Sequence, residues 1–180
     1  MSKEDDARDA LDEARALLSW ARTRLVTLAP QSEQLAELIV PSAVLGIPRR
    51  GRLKRVGEVW NLGIFLMDAD GCLFRKGETV RAANEPHTSH NSAYKAERRE
   101  LAYAAFRAGY SPGTVVNFGT SRIDVDDDLL SIPNGALFVR GSNVVVRWRR
   151  GALDAEAVLL KDYLAERMDL LLNPPKGATG

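Results

Sequence analysis

Cysteine is almost missing from this chain: Cys72 is the only one in 180 residues. A single thiol excludes an intramolecular disulfide and any multi-cysteine zinc site, and a reducing cytoplasm is the simplest setting. Histidine is scarce too, with two residues, His87 and His90. An excess of either charge is also absent. Twenty-five Lys and Arg against 24 Asp and Glu leave +1, which argues against a protein whose main work is coating nucleic acid or an anionic membrane. No apolar run approaches the ~18 residues of a transmembrane helix. The N-terminus is acidic, where a secretory signal would be basic and then apolar. What is present is an ordinary globular composition, 45% hydrophobic and 27% charged, in a length that suits about one domain.

The clearest element is N-terminal. Ala7, Leu11, Ala14, Leu18, Ala21, Leu25 and Leu28 recur at alternating spacings of four and three, a heptad seam that predicts a long helix. Ser2 is a good N-cap, Glu4, Asp5, Asp6 and Asp9 suit the positive end of the helix dipole, and Pro30 stops the run. A second short helix is expected from Ser32 to about Ile39, before Pro41. Val59 to Met67 is apolar on both faces and reads as one central strand. Asp68-Ala69-Asp70-Gly71 is turn chemistry, with Cys72-Leu73-Phe74 returning as a hairpin partner. A polar loop, Asn84 to Ser92, leads into a helix to about Ala108, with Gly109 as its C′ residue. Thr114–Phe118 is expected as a strand, and Asp124–Leu130 as a turn or short helix. Ala136–Arg140 and Asn143–Arg149 read as a hairpin around Gly141-Ser142, followed by a helix from Asp154 to about Glu166. Over Met168–Leu172 periodicity does not choose between helix and strand. These elements give an α+β fold with a mostly antiparallel sheet. The organisation expected is a helical N-terminal arm (1–40), an α+β domain (41–173) and a flexible tail (174–180).

Several clusters could carry chemistry. Asp68-Ala69-Asp70-Gly71-Cys72-Leu73 resembles the opening motif of haloacid-dehalogenase-type phosphatases, in which two aspartates act as nucleophile and acid/base around Mg²⁺. The later Ser/Thr, Lys and acidic pair of such enzymes do not follow in order, so a hairpin turn is the favoured reading. Glu85, His87, His90 and Asn91 sit in the loop before the central helix, where an anion could meet helix N–H groups. They are candidate binding residues, and no metal is expected on them because a third ligand lacks an assignment. Ser92-Ala93-Tyr94-Lys95 places a hydroxyl and an amine one turn apart, the nucleophile and base arrangement of penicillin-recognising enzymes and serine glutaminases. Hairpin, loop, helix and glycine resemble the layout of Nudix hydrolases. The metal-binding places counted back from Gly109 hold Ala102, Tyr103, Phe106 and Arg107, none of them acidic. Five cations lie between Arg49 and Arg55. With Arg140, Arg147, Arg149 and Arg150, beside Trp148, they could form a phosphate-binding face; the favoured reading is an amphipathic edge strand blunted by arginine. Asp124, Asp126, Asp127 and Asp128 lack the glycine and distal glutamate of a calcium loop.

From about Pro41 to Pro175 the chain resembles a family of small actinobacterial proteins whose members are often labelled glutaminase. The residues that carry this are Leu45-Gly46-Ile47, Val59-Trp60-Asn61-Leu62-Gly63, Asp70-Gly71, Ala96-Glu97-Arg98-Arg99, Val116-Asn117-Phe118 and Ala165-Glu166-Arg167-Met168-Asp169-Leu170-Leu171, before Pro174-Pro175. The resemblance implies a single bacterial domain and, from the label, an amide hydrolase with Ser92 as nucleophile and Lys95 as base.

The reading that the residues favour is a non-catalytic binding or assembly protein in the cytoplasm, with no cofactor. The seam at residues 7–28 would either pack on its own domain or form a homo-oligomer. The amide hydrolase is the alternative, and a Mg²⁺ phosphatase through Asp68 and Asp70 the weaker one. A membrane partner is not expected, nor is nucleic acid.

Overall fold

The computed structural model describes residues 3–40, 51–84, 93–126, 135–149 and 151–175. The loop residues Glu85, His87, His90, Asn91 and Ser92, the acidic residues Asp127 and Asp128, and the tail beyond Pro175 lie outside them. In chain order the elements are α1 (Lys3–Leu28), β1 (Glu33–Ile39), β2 (Arg52–Leu62), β3 (Phe65–Met67), β4 (Leu73–Arg75), β5 (Glu78–Arg81), α2 (Ala93–Arg107), β6 (Val115–Phe118), β7 (Ser121–Ile123), β8 (Leu137–Arg140), β9 (Asn143–Val146), a 3-10 turn (Asp154–Glu156), β10 (Val158–Leu159) and α3 (Leu160–Leu172). The fold is α+β: β1 and β6 pair in parallel, while β1–β2, β2–β3, β3–β4, β5–β6, β8–β9 and β9–β10 pair antiparallel. No helix among these residues is long and apolar enough to cross a membrane.

The chain divides into two compact units. One holds Met1–Ser32, Trp60–Arg75 and Arg122–Gly180; the other holds Glu33–Val59 and Lys76–Ser121. In the first unit the end of β2 continues into β3, β4 and β7, and β10, β9 and β8 form a separate three-stranded sheet. Helix α1 lays Leu11, Ala14, Leu18, Ala21 and Leu25 against Phe65, Met67 and Leu73, against Leu137, Val144 and Val146, and against Leu160, Tyr163, Leu164 and Met168 of α3. The heptad seam therefore packs on its own unit. Ala7 is half-buried and Leu28 half-exposed at its two ends. Each fully buried leucine is worth roughly 1.5–3 kcal/mol. Lifting the seam off this core to meet a second copy would forfeit several such terms.

In the second unit the strand order is β5, β6, β1, β2. One face of this sheet carries Ala36, Leu53, Val80, Val116 and Phe118, covered by Ala105 of α2 and by Tyr110. The Tyr110 hydroxyl donates to the Leu35 carbonyl at 3.2 Å.

Three expectations are corrected. Ser32–Ile39 is not a second helix: Glu33–Ile39 is strand β1. Its residues have fair helix propensity, but seven residues cannot sustain a helix alone, and pairing with β2 on one side and β6 on the other decides the matter. Val59–Met67 is not one strand. Gly63, at φ +77°, turns the chain with Ile64, so that Leu62 pairs with Phe65 across a hairpin. The last helix does not begin at Asp154. Val158 and Leu159 pair with β9, and the helix runs from Leu160 to Leu172, so Met168–Leu172 is helical.

The helix to Arg107, the strand Val115–Phe118 and the β8–β9 hairpin match, whereas the expected turn or short helix at Asp124–Leu130 lies largely outside the described residues. The Asp68–Gly71 turn joins β3 to β4. Gly109 takes φ +90° at the end of α2, and Gly141, at φ +62°, turns β8 into β9.

Candidate functional site

The aspartates of the phosphatase-like motif are built into a turn. Asp68 Oδ1 accepts the N–H of Asp70 at 3.0 Å and that of Cys72 at 2.8 Å, the hydrogen bonding of an Asx turn. Arg22 of α1 closes over it, donating through Nε to the Ala69 carbonyl at 2.8 Å. Gly71 takes φ +88°, and a Cβ there would meet Arg22 Cδ at 2.9 Å. Partial burial of Cys72, and then the Asp68 carboxylate beside it, push the thiol above its ordinary range. This is the reverse of the electropositive setting that makes a reactive thiolate.

The arginines of the β8–β9 region are likewise turned onto the protein. Arg147 bonds the Gly135 carbonyl and, through Nε, Asp154 Oδ1 at 2.8 Å, with its guanidinium 3.8 Å from the centre of the Phe138 ring. Arg149 forks onto Glu156 at 2.7 and 2.9 Å. Arg140 donates to the carbonyls of Asp154 and Ala157. Three cations of the expected phosphate-binding face thus fasten the hairpin to the 3-10 turn. Trp148 is exposed beside them, with Arg149 over its ring.

Two buried polar groups escaped the sequence reading. The Tyr163 hydroxyl donates to the Leu62 carbonyl at 2.8 Å and accepts the Ile64 N–H at 2.9 Å, so it clasps the Gly63 turn from α3. Burial is the main reason its phenol is pushed above the usual range. In the second unit Asn117 is fully buried. Its Nδ2 donates to Glu33 Oε2 at 2.6 Å, and its Oδ1 accepts from the Thr79 hydroxyl at 2.9 Å. That chain links β1, β6 and β5 by side chains as well as backbone. An apolar strand interrupted by one Asn, Val116-Asn117-Phe118, was the available signal.

Of the amide-hydrolase pair, Ser92 lies outside the described residues. Lys95 is exposed in the first turn of α2. Glu85, His87, His90 and Asn91 also lie outside. Among the described residues no three His, Cys, Asp or Glu side chains gather as a metal site requires. A depression in the first unit, lined by Ala10, Glu13, Leu17, Asn143 and Lys161 among others, has room for about one water.

The basic run leads to a different kind of surface. Of its cations, Arg52, Lys54 and Arg55 fall on β2. From Arg52 to Val59 this strand pairs with β1 on one side, while β3 pairs only with Trp60, Asn61 and Leu62. Among the described residues the other side of Arg52–Glu58 is therefore an open edge. The register shifts opposite Leu35 and Ala36, so Val56 is the extra residue of a bulge and lies 59% exposed. Arg55 lies over the Tyr110 ring at 4.8 Å. Lys54 reaches Glu37 only at 3.8 Å, both side chains being mostly exposed, a pair worth little in water. For Arg52, Lys54 and Arg55 the backbone fits the edge-strand reading; Arg49 and Arg50 lie outside the described residues.

No protein-family model, curated protein or solved structure matches the chain.

Proposed function

We propose that this chain is a non-catalytic binding protein whose contact surface is the basic edge of β2. One observation carries the reading. The groups that resemble catalytic parts, Asp68, Cys72, Arg140, Arg147 and Arg149, make hydrogen bonds that fix turns or link elements, or sit where their reactivity is suppressed. Arg52 and Lys54 of β2 instead stand exposed beside a strand edge that is open among the described residues, while Arg55 lies over the Tyr110 ring and reaches the Gly109 carbonyl. Charge supports the same choice. The unit that contains this edge has eleven Lys and Arg against seven Asp and Glu, whereas the other has fourteen against seventeen. A homo-oligomer through residues 7–28 is the weaker form of the proposal, because the seam is occupied by the core of its own unit.

The test is turnover. Ammonia release from glutamine, and phosphate release from a broad panel of phosphate esters with Mg²⁺, are expected to stay at the no-protein background. Ammonia release that disappears in Ser92→Ala or Lys95→Ala would replace this reading with the amide hydrolase. Phosphate release that disappears in Asp68→Asn would replace it with the phosphatase.

A further inference from the structure

We infer that the open edge of β2 receives an acidic, extended peptide segment as an added antiparallel or parallel strand. This rests on the binding-protein reading and names its partner class. The backbone supplies the first argument. Between Arg52 and Glu58, β2 is hydrogen-bonded on the β1 side, so backbone N–H and C=O groups on either side of the Val56 bulge face outward, the kind of edge that strand addition uses.

Charge supplies the second. Arg52 has no partner among the described residues, and Lys54 holds Glu37 only loosely. Glu58, at the far end, is drawn toward β1 by Gln34 Nε2 at 3.4 Å. The edge therefore presents positive charge over its first half, and carboxylates on an incoming strand would meet it. Val56, bulged and exposed, offers an apolar contact in the middle.

A second copy of the chain fits less well. Two such edges would bring six cations against two anions, and an antiparallel pairing centred on Arg55 sets that residue against itself. A nucleic acid would use the cations but not the outward amides. The like charges hinder self-association, while the same charges select a carboxylate-bearing strand.

The experiment uses the full chain and a fluorescein-labelled ten-residue peptide alternating Glu with Val. Three controls accompany it: the same peptide with Lys for Glu, one with Pro at two alternate Val positions, and a short oligothymidylate. Fluorescence anisotropy is expected to show binding of the acidic peptide alone. Its affinity should fall with added salt and drop about tenfold or more in Arg52→Glu/Lys54→Glu. Amide exchange is expected to slow over residues 52–58 when it binds.

Equal binding of the proline peptide, or unchanged exchange over 52–58, would overturn strand addition. Tighter binding of the oligothymidylate would overturn the partner class. A dimeric mass by light scattering, lost in Arg52→Glu/Lys54→Glu, would make the occupant a second copy. Absence of binding together with background turnover would remove this inference alone, whereas turnover dependent on Ser92 or Asp68 would remove the reading beneath it.

Discussion

At Gly63 two demands coincide. The backbone takes φ +77°, and a Cβ would meet the Tyr163 hydroxyl at 2.5 Å. Gly63→Ala is therefore expected to destabilise the protein by at least about 2 kcal/mol, from left-handed strain and displacement of that hydroxyl, read as a fall in the urea midpoint. Tyr163→Phe keeps the ring against Phe65 but removes the clasp on Leu62 and Ile64, and should cost about 1–3 kcal/mol. Cys72 gives a pH-dependent prediction. Burial and the neighbouring Asp68 raise the thiol, so alkylation by iodoacetamide should be slow at pH 8 and accelerate only above the ordinary thiol range. Asp68→Asn keeps an acceptor for the turn and removes the negative charge. It should lower the thiol pKa and speed alkylation at pH 8; an unchanged rate would show that the carboxylate does not act on Cys72. The Asp68–Gly71 turn was legible in the sequence because its hydrogen bonds span at most four residues. The Tyr163 clasp was not, because its partners lie about a hundred positions away.

Among elements, α1 shows what a seam can and cannot say. Its spacing foretold the buried stripe, since a 3.5-residue repeat specifies an apolar face whatever covers it. It did not specify the cover, which comes from β3, β4, β8, β9 and α3. Leu25→Ala should cost about 2–5 kcal/mol and leave the mass by light scattering unchanged. A mass that halves with little loss of stability would instead make the seam an interface. Strand β1 shows the opposite case, in which local propensity pointed to helix and long-range pairing prevailed. Asn117 is the polar fastening of that pairing. Asn117→Ala removes the shared partner of Thr79 and Glu33 and is expected to cost about 1–3 kcal/mol, with amide exchange accelerating in β5 and β6. The 154–166 region was misread because Val158 and Leu159 suit helix and strand alike over two residues. Only β9 decides between them.

Across the whole molecule, the α+β class was legible because turn signals and hydrophobic periods recur along the chain. The compact units were not, because each is assembled from segments far apart in sequence. Net charge was misleading in the same way, since +1 overall conceals +4 in the unit that contains Arg52–Val59 and −3 in the other. The candidate surface was half legible: the cluster of cations was plain in the sequence, whereas the open backbone edge beneath them required the strand pairing. Residues that resemble catalytic parts serve here as parts of the architecture. Asp68 tests this most directly, through thermal unfolding of Asp68→Ala against the parent chain. As the acceptor that shapes its turn, Asp68 should be missed by about 1–2 kcal/mol, a fall in Tm of roughly 2–8 °C for a chain of this size. A Tm that holds or rises on its removal, as happens when an active-site carboxylate kept at a cost to stability is deleted, would contradict the account.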